Sequence, residues 1–199
     1  MIKALIFDVS GVLTQARFSR VYESFAKRLE LPVSLIDTYF KGSLEDQLLG
    51  NGNLHDMYAG LTNHIPGITE GEFRKLLVAT ITELTTVNTE LLEWINSWRK
   101  SYTCGILTNN TEGRGIFDES IGLHQHFDFV LESYKEHMKK PDPQFFLVGL
   151  TEAGCKPEEA LYIDDQQRHV DAAQSIGMQG LVFTNNTLFK QALSDLGAK

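Results

Sequence analysis

The sequence predicts an α/β fold: a doubly wound parallel sheet, interrupted after its first strand by an all-helical insert. Three observations carry this expectation. Five short apolar runs (Ala4–Phe7, Thr103–Leu107, Phe127–Leu131, Ala160–Ile163 and Gly180–Phe183) are continuous rather than alternating, as strands covered on both faces are. The segments between the last four have helical periodicity, and strands alternating with helices build a parallel sheet. Between residues 15 and 87 that rhythm stops, and the chain reads as a series of helices without a good strand.

Taken in order, the first run begins at Ile2 and ends at Asp8, leaving no room ahead of it for a signal peptide. Phe18, Tyr22, Phe25 and Leu29 then recur at helical spacing, and Pro32 follows that helix. Segments 34–40, 44–49, 54–62 and 72–84 continue the helical series, with turns at Gly50-Asn51-Gly52 and Pro66-Gly67. Asn88 caps a helix in which Leu91, Leu92, Ile95 and Trp98 line one face, and this helix returns the chain to the sheet. The expected division is therefore a core of residues 1–14 and 88–199 and a helical lobe of residues 15–87.

Composition excludes several classes. The 199 residues suffice for a core and a small appended lobe. Hydrophobic residues make up 42% and charged ones 22%, as in soluble globular proteins. No run approaches the roughly 18 apolar residues of a membrane span. The net charge is −8, and the clearest basic cluster, Lys139-Lys140, is too small for a nucleic-acid stripe. Neither nucleic acid nor membrane is an expected partner. Two cysteines, Cys104 and Cys155, cannot build a disulfide framework, which fits a reducing, cytoplasmic location. No long heptad or apolar stripe speaks to oligomeric state.

Ligands of open α/β sheets bind at the carboxyl ends of the strands, so the polar residues after each run are the candidates. Asp8 follows the first run as a nucleophile or metal ligand, and Gly11 allows a sharp turn near it. Thr108 and Asn109 follow the second and offer a hydroxyl and an N–H to phosphate oxygens. Lys140-Pro141-Asp142 follows the third. Pro141 favours an extended Lys140, and Asp142 caps the next helix, while Lys139 reads as a solvated lysine. Asp164-Asp165 ends the fourth, and two adjacent carboxylates after a buried strand call for a cation, with magnesium the natural hard partner.

In order and spacing, Asp8-Val9-Ser10-Gly11-Val12, Thr108, Lys140 and Asp164-Asp165 resemble the four motifs of the haloacid dehalogenase-like (HAD) hydrolase superfamily. The resemblance runs from Ala4 to about Phe183, and the helical insert looks like that superfamily's helical cap on a Rossmann-like core. Its nearest flavour is the small sugar-phosphate phosphatases such as glucose-1-phosphate phosphatase. It implies that Asp8 is the nucleophile, forming an aspartyl-phosphate from a small phosphorylated substrate. It implies that Asp8, the carbonyl of Ser10 and Asp165 hold Mg2+, that Thr108 and Lys140 hold the phosphoryl oxygens, and that Asp164 bridges to Lys140.

Ser10 departs from the pattern, since these phosphatases usually carry a second, acid/base aspartate there. Its loss typically costs about 10²–10⁴ in rate. His55, His64 and His169 are the candidate substitutes, with His169 nearest the site. Ser10 also admits a metal-independent haloacid dehalogenase-type hydrolase or a ligand-binding relative with weak turnover. The Gly50-Asn51-Gly52 turn reads as a loop dipping into the pocket, with the lobe closing over it to set substrate choice.

Overall fold

The computed structural model describes residues 1–16, 18–41 and 44–195, apart from the side chains of Phe18 and Lys41. In chain order its first elements are β1 (Ala4–Phe7), β2 (Thr14–Ala16), α1 (Phe18–Arg28), α2 (Val33–Lys41), α3 (Leu44–Leu48), α4 (Leu54–Leu61), α5 (Glu70–Leu84) and β3 (Thr85–Val87). There follow α6 (Thr89–Trp98), β4 (Thr103–Thr108), α7 (Glu112–Ser120), β5 (Phe129–Glu132), α8 (Ser133–Glu136) and α9 (Pro143–Ala153). β6 (Ala160–Asp164), α10 (Gln167–Ser175), β7 (Gln179–Val182) and α11 (Asn186–Asp195) complete the described chain.

The main sheet has the order β5-β4-β1-β6-β7, and every pairing in it is parallel. β1 is central, so alternate residues of its run face two different helical layers. Leu5 and Phe7 pack with Leu91, Ile95, Phe189 and Leu193 of α6 and α11. Ala4 and Ile6 pack with Phe145, Phe146 and Leu150 of α9 and with Ala173 of α10. Burial on both faces is why these runs are continuously apolar. The doubly wound α/β architecture expected from the sequence is the one observed.

The helices α1 to α5 have a core of their own, built from Val21, Phe25, Leu29, Ile36, Phe40, Leu54, Met57, Phe73, Leu77 and Ile81. Phe25 and Phe73 meet edge to face at 5.2 Å and tie α1 to α5. Each such fully buried side chain contributes about 1.5–3 kcal/mol relative to exposure. Of the expected row on the first helix, the Phe18 side chain lies outside the described residues, and Phe25 and Leu29 are buried. Phe117 of α7 joins this cluster and anchors the helical segment to the sheet's helices.

One expectation for residues 15–87 is corrected. The segment is not free of strand: β2 and β3 pair antiparallel at its two ends, Thr14 opposite Val87 and Ala16 opposite Thr85. Three-residue strands are too short to show alternation, and they pair only with each other across the helices, so no local pattern announces them. Asn88 follows β3 and caps α6, its side chain accepting from the Leu91 N–H while its Nδ2 donates to Val12 O. No helix of the described residues is long and apolar enough to cross a membrane.

Candidate active site

Register brings the carboxylates together. Phe7 pairs with Ile163, so the next residues, Asp8 and Asp164, leave their strands at one level, and the Asp8 N–H donates to Ile163 O. Between the two carboxylates sits Lys140, its Nζ 2.8 Å from Asp8 Oδ1 and 2.8 Å from Asp164 Oδ2. All three are nearly inaccessible, at 4%, 0% and 2% exposed, so the ammonium is their main counter-charge. Asn109 holds Lys140 by its backbone: Lys140 N–H donates to Asn109 Oδ1, and Asn109 Nδ2 donates to Lys140 O. The Asn109 side chain is thus engaged at both its polar ends by the lysine's peptide. Asp142 caps α9 as expected, accepting from the Gln144 N–H. Lys139 lies at the surface, partly exposed and paired with the exposed Glu45 of α3. Thr108 ends β4 beside β1 and is buried.

Asp164 faces the protein rather than the solvent. Its Oδ2 accepts from Lys140 and from the Tyr162 hydroxyl at 2.6 Å, its Oδ1 accepts from the Gln166 N–H, and His169 Nδ1 lies 3.1 Å from Oδ2. Burial would raise its pKa, but the bonds from His169, Lys140 and Tyr162 outweigh burial and hold it well below the ordinary carboxylate range. Burial, together with the nearby Asp8 and Asp164, pushes the Tyr162 hydroxyl well above its usual value, so it stays a donor. His169 is buried, and its Nε2 is inaccessible with no hydrogen-bond partner among the described residues. The ring braces Asp164 through Nδ1 and lines the cavity that lies over these groups. His55 is exposed and paired with Glu70, and His64 is exposed on the helical segment.

Asp165 behaves differently. It is exposed at the rim, and partial burial plus the charges of Asp8 and Asp164 push its carboxyl up to about 6. Gly11 makes room for it: φ is +88°, and a Cβ there would stand 2.4 Å from the Asp165 carboxylate. Asp8, Asp164 and Asp165 each bring a carboxylate oxygen within 4.8 Å of the others. An all-oxygen donor set with surplus negative charge fits a hard divalent ion such as Mg2+.

A carboxyl whose pKa is higher folded than unfolded loses its favourable contribution as pH rises from the ordinary carboxylate range through about 6. A cation that binds the ionised cluster offsets that loss. Mg2+ is therefore expected to raise the thermal midpoint more at pH 7.5 than at pH 5, and equal increments at both would reject the site.

Over these groups lies a cavity of about 490 Å³, bounded by Asp8, Ser10 and Lys140 on one side and by Tyr22, Leu44 and Leu48 of the helical segment on the other. A second cavity of about 720 Å³ meets it at Ser10 and Gln166 and includes Asp165. The Gly50 turn does not dip into the first cavity. A Cβ on Gly50 would stand 2.2 Å from Tyr134 O, and His137 Nδ1 bonds Leu49 O, so the turn docks beside α8.

Several contributing residues lie outside the sequence reading. Arg114 lines the cavity and bonds Asp118 and the Thr14 hydroxyl, tying α7 to β2. Asn110 Nδ2 bridges the buried carboxylates of Asp118 and Glu132, and Ser133 Oγ clamps its backbone. Burial raises the Asp118 carboxyl against the pull of Arg114. The residue before Asp164 but one, Tyr162, sits in an apolar run, and only its hydroxyl could have marked it. Arg114 and Thr14 are far apart in sequence and carry no local signal.

Residues 2–177 match the family model of haloacid dehalogenase-like hydrolases. Flavin mononucleotide hydrolase 1 of Arabidopsis thaliana is 33% identical over 90 residues, covering 45% of this chain and 37% of that protein. The chain thus matches little more than a third of that relative's length. Phosphatase MT3486 of Mycobacterium tuberculosis is 25% identical over 215 residues, covering 99% of this chain and 96% of the relative. A HAD family enzyme of Bacteroides thetaiotaomicron, solved in complex with magnesium and inorganic phosphate, superposes with a TM-score of 0.77 at 21% identity, covering 95% of this chain and 100% of the other. That likeness concerns the fold.

Proposed function

The chain belongs to the haloacid dehalogenase-like hydrolase family, and from that premise we propose that it is a magnesium-dependent phosphatase of a small phosphorylated metabolite, acting through an aspartyl-phosphate on Asp8. The observation that carries this reading is Lys140 Nζ, buried at 2.8 Å from both Asp8 and Asp164. A carboxylate attacking a phosphate dianion meets charge repulsion, and a fixed ammonium at that point offsets it and stabilises the transition state. Asp164, held by its own donors, keeps Lys140 in place, and Asn109 fixes its backbone. Thr108 and Lys140 hold the phosphoryl oxygens.

Asp8, the Ser10 carbonyl and Asp165 would hold Mg2+, which supplies Lewis-acid neutralisation of the phosphoryl group when bound. Asp8 attacks phosphorus and releases the leaving group. Water then attacks the aspartyl-phosphate and restores the carboxylate. Residues 15–87 act as a cap on a core of residues 1–14 and 88–199, whose last four residues lie outside the described ones. Tyr22, Leu44 and Leu48 face the substrate body from that cap. Sugar phosphates are one class for the panel.

The test is phosphate release from a panel of small phosphorylated metabolites, with Mg2+ and after chelation. Release that needs Mg2+ is expected for at least one substrate. Dehalogenation of a haloacid that survives chelation, with no phosphate released from any compound, would replace this reading with the metal-independent one.

A further inference from the structure

The wall that the helical segment turns toward the cavity is largely hydrocarbon. Leu44 and Leu48 lie four residues apart on α3, so they share one face, and both line the cavity beside Tyr22. Leu44 is 38% exposed, and part of that surface lines the cavity. The helix that carries the two leucines is fixed at several points. The Gln47 side chain donates to the carbonyls of Tyr39 and Phe40, Glu45 pairs with Lys139, and His137 Nδ1 bonds Leu49 O. The Tyr22 ring rests against Phe40, with centroids 5.2 Å apart.

A narrow recess continues this apolar wall. It has a volume of about 40 Å³, shares Tyr22 and Leu44 with the cavity, and is otherwise bounded chiefly by Val21, Leu54, Met57 and Leu77. The polar side chains of the cavity, by contrast, are largely committed to bonds within the protein. Asn109 is bonded to the peptide of Lys140, Asn110 Nδ2 to Asp118 and Glu132, and Arg114 to Asp118 and Thr14. Among the described residues, the helical segment brings no charged side chain to this cavity, and Ser19 is its one aliphatic hydroxyl there. A polyol enclosed against this wall leaves hydroxyls without partners, at the cost of their desolvation. A hydrocarbon group covers the leucines and leaves no polar atom unpaired.

Resting on the phosphatase reading above, we propose that the substrate is a phosphate monoester whose organic group is a hydrocarbon, aliphatic or aromatic, rather than a polyol, and that Tyr22, Leu44 and Leu48 select it. The phosphate sits at Asp8 and Lys140, and the organic group extends across the cavity to α3 with its far end at the recess. Each carbon added to such a group buries further apolar surface. The rate constant kcat/KM therefore rises by about three- to fourfold per methylene until the space is filled.

The experiment measures kcat/KM of the full chain with Mg2+ for n-alkyl phosphates from ethyl to octyl, phenyl and naphthyl phosphates, and glycerol and glucose phosphates. The alkyl leaving groups are alcohols of nearly equal acidity, so that series reads recognition of the organic group and not the bond broken. Naphthyl against phenyl phosphate does the same for aromatic groups. A rise with size to a plateau is expected, and the steeper of the two series identifies the group as aliphatic or aromatic. Leu44→Gln places an amide on the exposed position of α3. It is expected to lower the ratio of the best hydrocarbon ester to glycerol phosphate about tenfold. Leu147→Gln on α9, at 39% exposure and outside the cavity lining, should leave that ratio unchanged. Two flat series, polyol phosphates ahead of hexyl and naphthyl phosphate, or equal ratios in the two variants overturn the inference while leaving the phosphatase reading intact. No phosphate from any substrate overturns both.

Discussion

Asp8→Asn is expected to lower phosphate release by at least about 10⁴-fold, the scale on which removal of an attacking group acts. The amide keeps the shape of the carboxylate and its place at the end of β1, so the fold should survive. What it loses is the oxygen proposed to attack phosphorus and the negative charge that meets Lys140 at 2.8 Å. Wild-type protein quenched during turnover should carry phosphate on the peptide containing Asp8, and the variant should carry none. A variant retaining a tenth of the wild-type rate would end the covalent mechanism, whatever its affinity for Mg2+.

Lys140→Met should damage stability and turnover together. Methionine nearly fills the volume, so the cavity penalty is small, but Asp8 and Asp164 then face each other without the ammonium. Breaking a buried pair by removing one partner costs about 3–5 kcal/mol. The pH dependence has a definite sign. Asp164 is held well below the ordinary carboxylate range, after burial's opposing push, by His169, Lys140 and Tyr162. Its stabilisation is therefore present above that range and is lost as pH falls through the lowered value. Without Lys140 part of it is missing, so the gap between wild type and variant is large at pH 7 and narrows on acidification. Mg2+ should return part of the lost stability by replacing a cation with a cation. Denaturant unfolding at pH 7 and at about pH 3, below the ordinary carboxylate value, measures this. A gap under about 1 kcal/mol at pH 7, the value of an exposed pair, would show that Lys140 is not the counter-charge of the cluster.

Both experiments concern groups whose places were readable along the chain. Asp8 and Asp164 follow continuous apolar runs, and such runs mark strands buried on both faces, whose carboxyl ends form the ligand edge of an open sheet. Lys140 was visible because Pro141 and Asp142 define the loop between a strand and a capped helix. These are local signals, set by backbone geometry and burial within a few residues. Ser10 carries no local signal of its own and stands out only through the resemblance, as a departure from that family's pattern.

By itself, then, the sequence determined the parallel α/β sheet, the helical interruption after its first strand and the strand ends that carry the carboxylates. Hydrophobic period and strand termination are properties of short windows. Only the tertiary structure decided that Tyr162 and His169 brace Asp164, that Asn109 holds the peptide of Lys140, that Arg114 reaches Thr14, and that β2 pairs with β3. It also turned the Gly50 loop away from the cavity and onto Tyr134. Most of these contacts join residues far apart in the chain. A hydrogen bond of that kind depends on how two layers pack, and no periodicity on either partner's own element records it.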